Sequence, residues 1–154
     1  MTTIEIKLAS LVSDIKIKSH MNTARIKDPE DRYAVRAAEE NNAEVMQDLQ
    51  DAWRSMTALC RRFLEQSDDA EGDDIFTASP ETTRILTFDI TERRTSNIGE
   101  PLAQAMHQYL VAGTLRRFYT SAAMTDLATL YAGQEQAAAG DITFLLHKKA
   151  EPIY

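Results

Sequence analysis

Histidine is the side chain best suited to bind a metal or move a proton near neutral pH, and this chain has three: His20, His107 and His147. None follows a carboxylate by three residues, the Glu-x-x-His spacing that places two ligands on one helix face. The nearest case is Gln104 before His107, and an amide is a poor ligand beside a carboxylate. His107 therefore reads as a partly buried bundle residue. Cys60 could act as a nucleophile if Arg61 and Arg62 stabilised its thiolate. Adjacent helix residues point in different directions, however, so Cys60 reads as a core cysteine.

The stretch 65–74 reads EQSDDAEGDD, with six acids and no base. Setting Gly72 at the invariant glycine of a calcium loop puts Ser67, Asp69 and Glu71 at early ligand positions. The closing acid position then falls on Ala78. The calcium pattern fails, and a self-repelling, solvated loop is expected. A Gly-rich phosphate loop, a GxSxG elbow and an HExxH helix are all missing. The expectation is a non-enzymatic chain with no catalytic, cofactor-binding or metal-binding residues.

Basic residues come in pairs: Arg61-Arg62, Arg93-Arg94, Arg116-Arg117 and Lys148-Lys149. Residues 1–27 hold five lysines and arginines against Glu5 and Asp14. A phosphate-facing patch is one reading of such clusters, and solvated faces or helix C-terminal charges are the other. Arg93 and Arg94 follow a strand and have no helix end to complement, which makes them the candidate pair for an acidic partner. A net charge of −7 nevertheless makes nucleic acid an unfavoured partner, since non-specific binding there is cation-to-phosphate attraction.

These residues must be carried by a chain of 154 residues, the size of one domain, expected to span 1–154. Hydrophobic residues at 44% and charged residues at 27% make a globular composition that needs no metal or disulfide. No apolar run is long enough to cross a membrane, the N-terminus lacks a signal peptide's build, and one cysteine marks no oxidising compartment. A cytoplasmic protein is expected.

The clearest helix signal starts at Asp28-Pro29-Glu30-Asp31, an N-cap followed by proline and two acids, and runs to about Glu65. Val45, Leu49, Ala52, Met56, Leu59 and Phe63 form one apolar stripe, with Met46, Trp53 and Cys60 beside it. Leu86, Phe88 and Ile90 alternate with polar residues as in a half-buried strand. Ile75-Phe76-Thr77 is its expected hairpin partner. A third element runs from Gly99 to about Tyr119, and a last one from about Ser121 to the approach to Pro152. In that last element Gly133, Ala137 and Gly140 leave a bare strip. Either the helix breaks at Gly140, or it continues and the strip admits another helix. Residues 1–27 fit both periods, and helix is the choice made. The fold expected is mainly α: an elongated bundle of three to four helices with a small β-hairpin near residues 75–91.

The C-terminal half, from His107-Gln108-Tyr109-Leu110-Val111 through Arg117-Phe118-Tyr119 to Leu145-Leu146-His147-Lys148-Lys149, resembles small helical proteins encoded in bacterial prophages. The resemblance covers about the last third of the chain. It implies a structural or assembly role, connector-like and virion-associated, with no catalysis.

Length points the same way. At about 1.5 Å per residue, Pro29 to Glu65 would form a rod of roughly 55 Å, against a radius of gyration near 15 Å for a compact chain. Such a rod leaves apolar surface for a partner, and homo-oligomerisation is expected. The candidate interaction residues are Trp53, Gly133 and Gly140 for self-association, with Arg93 and Arg94 for a small regulatory adaptor as the alternative.

Overall fold

A computed structural model describes residues 2–25, 42–64, 83–88 and 98–147. The expected helix start at Asp28-Pro29, the acidic loop 65–74, the strand candidate Ile75-Phe76-Thr77, and the pairs Arg93-Arg94 and Lys148-Lys149 lie outside these residues. In chain order come β1 (Thr2–Lys7), α1 (Leu8–Arg25), α2 (Asn42–Cys60), a 3-10 turn (Arg61–Phe63), β2 (Thr83–Phe88), α3 (Gly99–Ser121) and α4 (Thr125–His147). The fold is mainly α with a small two-stranded antiparallel sheet.

β2 falls where alternation placed a strand, and β1 pairs with it, Ile4 opposite Leu86 and Thr2 opposite Phe88. The choice of helix for the whole N-terminal segment is thereby corrected for Thr2–Lys7. Ile4, Ile6, Leu86 and Phe88 are buried on one face of the sheet, while Thr3, Glu5 and Lys7 point to solvent. A lone strand cannot satisfy its backbone, and the β-branched Thr3, Ile4 and Ile6 suit the pleat. From Leu8 onward the spacing becomes helical, with Leu8, Leu11, Ile15, Ser19 and Asn22 buried along α1.

α2 and the turn after it carry both stripes read from the sequence, and all of their residues but Leu59, 40% exposed, and the half-buried Met46 are covered within the chain. Val45, Leu49, Ala52, Met56 and Phe63 are buried, as are Trp53 and Cys60. α3 and α4 pack against this face, which corrects the inference that the stripes stay open for a partner. Trp53 is fully buried and is no surface interaction residue. The α-helix tightens into the 3-10 turn after Cys60, and Leu64 leaves it extended, bridging to Phe88.

α3 is the centre of the molecule, in contact with α1, α2, α4 and β1. Tyr109 to Leu115 are buried without a break, the signature of a helix covered on all sides. Gly113 sits at the tightest approach. A Cβ there would lie 3.3 Å from Ala52 Cβ on α2 and 2.8 Å from Glu135 Oε2 on α4.

The turn from α3 to α4 closes with paired bonds, Met124 N–H to Tyr119 O at 2.9 Å and Ala123 N–H to Thr120 O at 3.2 Å. This is the Schellman arrangement, and Ala123 takes its left-handed position with φ 59°. α4 then runs unbroken through Gly133 and Gly140 to His147. The break at Gly140 does not occur.

Candidate interaction surface

The inward side of α4 explains why its outward side is so plain. Tyr131, Ala138, Ile142 and Leu146 face the core. The one charged residue between Asp126 and Asp141, Glu135, turns inward to α3. Its Oε2 accepts from Arg116 Nε at 2.9 Å and lies 3.6 Å from Arg117 Nη1. Arg117 Nη1 also donates to Gly113 O at 3.0 Å. The Arg116-Arg117 pair is thus occupied by Glu135 inside the fold, rather than standing free at a helix end.

Between the exposed Asp126 and Asp141, the outward side is left with Thr129, Leu130, Gly133, Gln134, Gln136, Ala137 and Gly140, all exposed and none charged. Phe144 follows one turn later. Leu130 is 52% exposed and Phe144 65% exposed, the latter the most exposed large apolar side chain among the described residues. Leu130, Gly133, Ala137, Gly140 and Phe144 recur at spacings of three, four, three and four, one continuous stripe. Two glycines inside a helix cost about 1 kcal/mol each against alanine. Among the described residues nothing accounts for them, since a Cβ at either would meet no atom within 4 Å. Gly133 and Gly140 therefore stay candidates on structural grounds. Beside Phe144, a cleft of about 310 Å³ opens between α3 and α4, lined by Pro101, Gln104, Ala105, Gln108 and Leu145 among others.

Elsewhere the structure joins groups that the sequence keeps far apart. His107 Nε2 lies 2.9 Å from Asp14 Oδ2, and Lys18 reaches the same oxygen at 3.8 Å. His107 is half-buried between α1 and α3, as expected, but its carboxylate partner comes from another element. No spacing rule within one helix could have found it. Asn22, Tyr119 and Tyr131 form a second such cluster. Asp48 on α2 forms a third feature, with Oδ2 buried and without a hydrogen-bond partner. Burial above all, with Glu44 and Asp51 beside it, raises the Asp48 pKa to about 6, and Arg117 opposes the rise. Burial pushes the Cys60 thiol up to about 12, the behaviour of a core cysteine.

Among the described residues no group of three or more potential ligands could hold a metal ion. No helix among them is long and apolar enough to cross a membrane. Comparison with protein-family models, curated proteins and solved structures finds no match to this chain.

Proposed function

We propose that this chain is a non-enzymatic structural or assembly protein that acts by self-association in the cytoplasm, in the manner of the prophage-encoded helical proteins its C-terminal half resembles. The observation that carries the reading is the outward face of α4, without a charge between Asp126 and Asp141 and carrying two large exposed apolar side chains, Leu130 and, just past Asp141, Phe144. Soluble monomers rarely leave a continuous apolar strip in water. Ile17 and Met21, one turn apart on α1 and both half-exposed, add apolar surface.

The alternative, a small regulatory adaptor working through paired basic residues, has less behind it. Of the described pairs, Arg116-Arg117 is engaged by Glu135, which leaves Arg61-Arg62 as the exposed one. Light scattering coupled to size exclusion tests the main reading. A concentration-dependent multimer is expected, and a strict 17.3 kDa monomer overturns it. Titration with labelled duplex DNA tests the adaptor: salt-sensitive binding would favour it over assembly. Virion genes flanking this one would support the prophage context.

A further inference from the structure

We propose that α4 pairs antiparallel with α4 of a second copy of this chain, about a two-fold axis passing beside Ala137. The inference rests on the self-association reading and gives it a surface and a geometry.

The stripe on α4 is nearly symmetric about Ala137. Leu130 stands seven residues before it and Phe144 seven after, with Gly133 and Gly140 flanking it inside. In an antiparallel pair centred on Ala137, Leu130 of one copy meets Phe144 of the other at both ends. The same patch then serves both copies, as a two-fold interface requires. At the middle, Gly133, Ala137 and Gly140 present almost no side chain, so the two backbones can approach closely. The large residues close the ends. Phe144 and Asp141 border the cleft lined by Pro101, Gln104, Ala105 and Gln108, so Leu130 of the second copy reaches the Phe144 side of its mouth.

Charge decides the direction. α4 has Asp126 in its first turn and His147 in its last. An antiparallel pair sets the acidic end of one copy by the basic end of the other, twice. A parallel pair would set like ends together and bring Asp141 beside its own copy. In the antiparallel register Asp141 instead lies across from Gly133. The helix dipoles also favour the antiparallel arrangement.

From Leu130 to Phe144 the stripe is about 21 Å long. One helix pair of that length buries less than the roughly 1,200–2,000 Å² of a standard stable interface, so the pairing depends on concentration.

Two sets of variants of the full chain test the geometry. Ala137→Glu adds a carboxylate at an exposed site, so the fold is expected to keep its melting temperature. At the axis it opposes its own copy, and a loss of association of at least tenfold is expected. Leu130→Cys and Phe144→Cys, one carrying a mass tag, are then mixed and treated with a short bis-maleimide, the buried Cys60 being spared. Antiparallel pairing predicts mixed 130–144 cross-links in excess of either like pair. Like pairs in excess would overturn the antiparallel geometry. A multimer that gives no cross-link and ignores Ala137→Glu would overturn the α4 surface but leave self-association standing. A strict monomer up to about 1 mM would overturn both.

Discussion

Asn22, near the end of α1, donates its amide nitrogen to the Tyr131 hydroxyl on α4 at 2.8 Å, across 109 residues of chain. The same amide reaches the Tyr119 hydroxyl on α3 at 3.3 Å, and the two tyrosine rings stack at 5.8 Å. The three groups bind the N-terminal helix to the last one through a buried polar contact. Tyr131→Phe keeps the ring and removes the shorter bond. Leaving the Asn22 amide with only the longer contact should cost about 1–2 kcal/mol in urea unfolding. An unchanged midpoint would show that this bond does not hold α1 in place.

Asp48 makes stability depend on pH in an unusual sense. Its pKa of about 6 in the fold lies above its ordinary 3.8, so the native state holds the proton more tightly than the unfolded chain does. Its contribution is greatest below about pH 4, falls as pH rises to about 6, and is flat beyond. Asp48→Asn should therefore stabilise the protein at neutral pH, by about 1 kcal/mol once screening of the solvent-facing half is allowed for. The gain over wild type should vanish near pH 4. Denaturant unfolding of both proteins at the two pH values measures it, and an equal difference at both would refute the account.

Ala123 occupies a left-handed conformation that alanine adopts at a cost and glycine does not. Ala123→Gly should raise stability by about 1 kcal/mol, and Ala123→Val should lower it by more, since β-branching aggravates the strain. Thermal melting reads both, and a lower melting temperature for the glycine variant would be the contrary result.

Met56 is fully buried in the middle of α2. Met56→Asp places a carboxylate in the core without a partner and should abolish cooperative unfolding. Met56→Leu should cost under about 1.5 kcal/mol. Circular dichroism melts compare them, and a Met56→Asp protein with wild-type melting would show that the stripe is not core.

Cys60 should behave as packing rather than chemistry. With its thiol pushed up to about 12, almost no thiolate exists at pH 8. A disulfide reagent should label it only on unfolding, at a rate that follows denaturant. Rapid labelling of the native protein would contradict this.

Much of this architecture is legible in the residues themselves. The spacing through Val45, Leu49, Ala52 and Met56 marks α2's buried face because helix periodicity is a local property. The alternation at Leu86 and Phe88 marks β2 for the same reason, and the helix over Gly99–Ser121 follows from its apolar positions. The candidate surface was half legible. Gly133 and Gly140 stand out in sequence, and α4 shows them on the open side. Trp53 drew notice for its size, but size marks a core residue as readily as a contact residue. Only α3 and α4 packing over it decided which it is.

Pairings across long stretches of chain belong to the tertiary structure. β2 pairs with β1, where Ile4 and Ile6 have an apolar face to match Leu86 and Phe88, while the expected partner Ile75-Phe76-Thr77 lies outside the described residues. The 1–27 segment looked ambiguous because it holds a strand and a helix in succession, and the strand exists only through a partner some eighty residues away. Arg116-Arg117 read as helix-end charges until α4 brought Glu135 against them, and His107 had no carboxylate until α1 supplied Asp14. A sequence determines which side chains share a face, because that depends on backbone period alone. Which faces meet, and so which charges are spent inside and which apolar stripe is left outside, depends on how the helices pack around α3.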